Sequence, residues 1–91
     1  MFLLVCYDIS DERRLRQIAK IMQRFGDRVQ KSVFECHLEP RQYTQMRHKV
    51  QAVMDASEDS VRVYPLCQKC CQARQAYGQG EVSDLPEVFI I

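Results

Sequence analysis

Apolar positions open the chain almost without interruption: residues 2–9 read FLLVCYDI, a run rich in β-formers broken only at Tyr7-Asp8. Such a run predicts a central strand covered on both faces. The spacing then changes, and Leu15, Ile18, Ala19, Met22 and Phe25 recur at helical intervals. Ser10 is placed to cap that helix, Asp11 and Glu12 suit its positive end, and Gly26 is placed to stop it. Residues 28–38, RVQKSVFECHL, are strand-like but longer than the usual strand of about 5–6 residues, so they predict a hairpin bending near Lys31-Ser32.

Pro40 fits the first turn of a second helix, which Tyr43, Met46, Val50, Val53 and Met54 continue at helical spacing until the acidic loop of residues 55–59. Residues 61–66, VRVYPL, alternate as the next strand, with Pro65 marking its end or an exposed edge. Residues 67–85 are the least regular, with Gly78 and Gly80 marking turns. The closing PEVFII is a short apolar strand that needs another strand to pair with. The order is an α+β, ferredoxin-like βαββαβ plan with both helices on one face of an antiparallel sheet, plus an additional C-terminal strand.

Composition narrows the classes. At 91 residues and 46% apolar, the chain is one globular domain, too short for a separate cofactor module and too apolar for disorder. A domain this small buries only about 60–65% of its unfolded surface, which favours a homodimer. No apolar run approaches the ~18 residues of a membrane span, and the first ten residues lack a basic n-region, so the chain reads as cytoplasmic, with no membrane partner. Its five cysteines are an odd number without a secretory signal and read as reduced thiols.

The net charge of +1 conceals a division: residues 1–50 carry ten basic and six acidic side chains, and residues 51–91 three and six. In a helix, Arg13, Arg16, Lys20 and Arg24 fall within about 80° of one another opposite the apolar arc, a basic stripe able to meet a phosphate backbone. Asp8 ends an otherwise apolar strand on the same face as Leu4 and Cys6. A carboxylate there either caps a turn or pairs with an arginine, or it serves a metal. One carboxylate is too few for a Mg²⁺ cage, but a two-fold axis would bring a second Asp8, and the ion would relieve their repulsion.

Cys67-x-x-Cys70-Cys71 is half of a zinc motif, with no second CxxC or HxxxH to complete it, and a redox role for it would want a βαβ context. His37 and His48 belong to no nucleophile pattern, and three glycines make no phosphate loop.

The phrase LLVCYDISDERRLRQIAKIMQRFGDRVQKSVFECHLEP resembles the small CRISPR-associated Cas-two family, in which an apolar strand ends in YDI, a helix follows, and FGxRVQxSVFEC comes next. The similarity continues through VRVYPLCQKC to the terminal strand. It implies a ferredoxin-like homodimer of the adaptation stage of antiviral defence, bridging dimers of the Cas-one integrase during spacer acquisition. It also implies a metal-dependent endonuclease acting on single-stranded RNA or double-stranded DNA, with Asp8 binding Mg²⁺ and carrying catalysis. Tyr7, Arg28, Phe34 and the basic Arg13, Arg14 and Arg16 then correspond to positions that meet nucleic acid. Residues 67–91 would be an extension whose PEVFII strand crosses the two-fold axis onto the partner's sheet. The alternative is a non-catalytic dimeric adaptor that bridges integrase dimers and supports duplex DNA on the helical stripe.

Overall fold

The computed structural model describes residues 1–78. Seven elements follow in chain order: β1 (Phe2–Asp8), α1 (Glu12–Met22), β2 (Asp27–Gln30), β3 (Val33–His37), α2 (Pro40–Val53), β4 (Ser60–Leu66) and the short α3 (Gln68–Gln72). The four strands form one antiparallel sheet in the order β2-β3-β1-β4. This is the ferredoxin-like arrangement expected from the alternation of periods. The turn between β2 and β3 falls at Lys31-Ser32, where the excess length of the strand-like run demanded it.

Period-two alternation sorts β1 into two faces. Leu3, Val5 and Tyr7 are buried against Ile18 and Met22 of α1, Met46 and Val50 of α2, and Phe34 and Cys36 of β3. Both helices therefore cover the same face. Phe2, Leu4, Cys6 and Asp8 point the other way. Along that face burial declines from Phe2, which is buried, through half-buried Leu4 and Cys6 to exposed Asp8. Coverage of β1 on both faces, expected from its unbroken apolar run, is thus complete only at its start. There Arg74, beyond α3, lays its guanidinium 4.8 Å from the Phe2 ring centre and pairs with Glu35 at 2.7 Å.

Two helix signals act differently from their sequence reading. Asp11, not Ser10, is the N-cap of α1, its carboxylate accepting from the Arg14 backbone N–H at 2.9 Å. Gly26 is not a left-handed stop, since Gly78 is the one glycine with positive φ among the described residues. It is required for close approach: a Cβ at position 26 would collide with the Glu35 carbonyl oxygen and lie 2.5 Å from Cys36 Sγ. Arg24 lies just past the end of α1.

Pro40 opens α2 within a capping box between Glu39 and Gln42, and Pro65 sits on β4, an edge strand of the chain's own sheet. In the irregular stretch after β4 the chain forms α3, five residues long. The PEVFII strand and Gly80 lie outside the described residues. Among the described residues no helix is long and apolar enough to cross a membrane.

Candidate active site

Asp8 ends β1 on the open face of the sheet and is opposed across the ladder by Ser60 of β4. The same face carries the pairs Cys6–Arg62 and Leu4–Tyr64. Arg62 is exposed and stands two residues along β4 from Ser60, roughly 7 Å at ~3.4 Å per residue. Reading the chain in order hides this cation, because it falls in the acidic half; only the β1–β4 register brings it to the side of Asp8.

The support behind Asp8 is a network built on Asp59, whose side chain is fully buried. Its carboxylate accepts from Arg14 Nε at 2.9 Å and Nη2 at 3.2 Å, from the Asp55 backbone N–H at 2.8 Å, and from the Ser10 backbone N–H at 3.1 Å. Ser10 Oγ lies 3.3 Å from the same carboxylate, and Arg14 also reaches Glu58 at 3.0 Å. Hydrogen bonds from the Arg14 guanidinium hold the Asp59 carboxyl well below the ordinary carboxylate value against the opposing effect of burial, and Asp59 in turn raises the pKa of Arg14. Geometrically, Asp59 ties together the two segments that frame Asp8: the β1–α1 loop through Ser10 and the start of β4 through its own neighbour Ser60. Sequence reasoning misses this network because Arg14 and Asp59 are 45 residues apart, and each reads alone as an ordinary surface charge.

The predicted nucleic-acid residues separate into three groups. Tyr7 and Phe34 are core residues, 6% and 0% exposed, stacked on each other with ring centres 6.2 Å apart. Both rings pack into the core of the single chain, and Phe34 seats Arg28, whose guanidinium carbon lies 5.3 Å from its ring centre. Burial raises the Tyr7 hydroxyl pKa, with Arg28 opposing it. The Arg14 guanidinium is likewise engaged by Asp59 and Glu58.

Arg13, Arg16 and Lys20 are exposed on α1, Arg16 making only a long 3.9 Å contact with Glu12. Lys20 and Arg24 join Lys49 of α2 along a groove of about 480 Å³ floored by Ile21, Ala52 and Val53. This groove belongs to the helical layer, so the sheet lies between it and the Asp8 carboxylate. Arg13 is exposed at the start of α1, five residues after Asp8, whereas Arg28, opposite Phe34, stands on the helix-covered side of the sheet.

As a metal site, this end of the open face offers, among the described residues, one accessible carboxylate without an ion-pair partner, that of Asp8. No group of three His, Cys, Asp or Glu side chains able to hold an ion occurs among the described residues, and Asp59 is occupied by Arg14. That donor set fits Mg²⁺ only if water, phosphate or a second copy completes it, since the ion takes six oxygens of which one or two are typically carboxylate.

An antiparallel β2-β3-β1-β4 sheet with two helices on one face and a carboxylate at the end of its central strand defines a ferredoxin-like protein with an open, partly apolar sheet face. Residues 1–74 match the family model for CRISPR associated protein Cas2. A CRISPR-associated endoribonuclease Cas2 of Moorella thermoacetica is 40% identical over the full length of both chains, and one of Chloroflexus aurantiacus is 42% identical, also over the full length of both. The crystal structure of Streptococcus pyogenes Cas2 superposes with a TM-score of 0.77 at 35% identity, covering 86% of this chain and all of that one. The chain belongs to the Cas2 family.

Proposed function

We propose that this chain is a CRISPR-associated endonuclease subunit of spacer acquisition, working in the cytoplasm as a homodimer with Mg²⁺ and with Asp8 as its catalytic residue. The carrying observation is the contrast between two neighbouring acids: Asp59 is withdrawn into an ion pair, while Asp8 stays exposed at the end of β1. The endoribonuclease names of the relatives support phosphodiester hydrolysis as the reaction and RNA as a substrate; duplex DNA is the second substrate proposed.

Two Asp8 carboxylates, one from each copy, would hold the ion. Bound Mg²⁺ would supply an activated water and stabilise the charge that develops on the scissile phosphate. The chain's own contribution is placement. The Asp59 network fixes the loop after Asp8 and the strand beside it, and Arg62 on the same face, with Arg13 in the segment that follows Asp8, supplies positive charge for the strand being cut. Replacing Asp8 with Asn removes the charge and nearly nothing of the shape. Mg²⁺-dependent cleavage of single-stranded RNA and duplex DNA should then fall to background while the circular dichroism spectrum stays unchanged. Cleavage by the Asn variant at the parent rate would overturn the assignment.

A second reading is favoured by the groove of Lys20, Arg24 and Lys49. These cations stand on the helical layer, with the sheet between them and Asp8 of the same chain, so they serve support of a nucleic acid better than cleavage at Asp8. On this reading the dimer is an adaptor that carries duplex DNA and bridges Cas-one integrase dimers. Charge reversal at Arg16, Lys20 and Arg24 then abolishes spacer acquisition, whereas Asp8→Asn leaves it intact. The opposite pair of results assigns acquisition to the nuclease.

A further inference from the structure

The three cysteines that follow β4 take no part in the site built around Asp8. Cys67 is the N-cap residue of α3, with extended φ and ψ, and its sulfur accepts from the Cys70 backbone N–H at 3.4 Å. The first turn of α3 thereby brings Cys67 Sγ and Cys70 Sγ to 3.2 Å, with both residues exposed. Cys71, one residue on, is turned inward and is 3% exposed. The pair is therefore set apart from the third thiol by geometry. A disulfide requires ~2.05 Å between sulfurs, so closure asks for an approach of about 1 Å, within the reach of side-chain rotation.

We propose that Cys67 and Cys70 form a reversible dithiol–disulfide site on this protein, with a low-molecular-weight disulfide as its exchange partner. The two thiols are not equivalent. Hydrogen bonding from the Cys70 backbone, then from its side chain, lowers the Cys67 pKa, while the Cys67 contact raises that of Cys70, and burial raises that of Cys71. Cys67 is accordingly the attacking thiolate and Cys70 the resolving thiol.

The Cys67 thiolate attacks one sulfur of RSSR, forming Cys67–S–S–R and expelling RS⁻. Cys70 then gives up its proton and attacks the Cys67 sulfur, closing the disulfide and expelling the second RS⁻. The two protons lost by the cysteines end on the two released thiols. Two cysteine thiols are oxidised and one RSSR is reduced to two RSH. A zinc role finds no support, since no third ligand joins the pair among the described residues. The βαβ setting of a thioredoxin-like oxidoreductase is also missing, so the pair is read as a modification site and not as an enzyme of disulfide exchange. Its position gives it consequence. The Cys71 carbonyl accepts from Arg74 Nε at 2.8 Å, and Arg74 is the residue that covers Phe2 on the sheet face bearing Asp8.

The test is equilibration of the full-length protein in glutathione buffers of increasing oxidised fraction, followed by alkylation of remaining thiols and peptide mapping. The expected result is one two-electron transition that protects Cys67 and Cys70 together within one chain, leaving Cys71 reduced. The Cys70→Ser variant, lacking the resolving thiol, should stop at a glutathione adduct on Cys67, and Cys67→Ser should form no disulfide at Cys70. Absence of a Cys67–Cys70 disulfide at every buffer ratio, a disulfide linking two chains, or stoichiometric zinc that blocks oxidation until chelated would each overturn the proposal.

Discussion

Two carboxylates at one end of the sheet have opposite fates, and the difference lies in their partners. Asp59 accepts from Arg14, Ser10 and Asp55 and is buried; Asp8 projects to solvent from the face opposite α1 and α2. Because the Asp59 carboxyl titrates below its ordinary value of 3.8 when folded, the unfolded chain takes up the proton first as pH falls. Its stabilisation is therefore fully present above the ordinary carboxylate value and lost as pH falls through the lower, folded one. Replacing Asp59 with Asn should lower the thermal midpoint at neutral pH, and that deficit should shrink as acid removes the same charge from the parent protein. Thermal melts of both proteins across that range check this; a deficit independent of pH would mean that the carboxylate charge is not what holds the loops. Asp8 could be picked out in the sequence because an acid is out of place in an apolar strand. The Arg14–Asp59 pair could not, because only the fold brings its members together.

At the scale of elements, periodicity carried most of the information. The length of residues 28–38 demanded a hairpin, and Pro40 with its helical repeat located α2. Ambiguity remained where one residue serves two roles. Gly26 looks like a helix stop, yet what requires glycine is β3, whose Glu35 carbonyl and Cys36 sulfur occupy the space of a side chain. Gly26→Ala should therefore destabilise by about 1–3 kcal/mol, the cost of forcing atoms into a filled space, with chemical denaturation as the measurement.

The basic stripe was also legible, but a helical wheel cannot tell an exposed arginine from one held by a distant acid. Arg13, Arg16 and Lys20 remain exposed, whereas Arg14 does not. Replacing Arg16 or Lys20 with Glu should weaken duplex DNA binding and make it less sensitive to salt, by about one unit of log–log slope for each phosphate that is no longer neutralised. Arg14→Gln should instead reveal itself in thermal stability. Binding titrations at several salt concentrations, beside melting curves, separate the two effects.

For the whole molecule, the sheet is the dividing plane. α1, α2 and the groove of Lys20, Arg24 and Lys49 lie on one side; Leu4, Cys6, Tyr64 and Asp8 lie on the other. Tyr64 is 45% exposed on that open face, and Leu4 and Cys6 are half-buried beside it, an apolar surface that a second copy would cover. The small size of the chain and the lone accessible Asp8 carboxylate at this site then have one proposed solution in common. On the proposed function, two copies would supply two Asp8 side chains to one ion, and the helical surfaces would stay outward to carry nucleic acid.

The stoichiometry of bound Mn²⁺, used in place of Mg²⁺ and counted by electron paramagnetic resonance on the purified dimer, tests this most directly. A shared centre predicts one tightly held ion per two chains, lost in the Asp8→Asn variant. One ion per chain, or binding that persists without the Asp8 carboxylate, would contradict it.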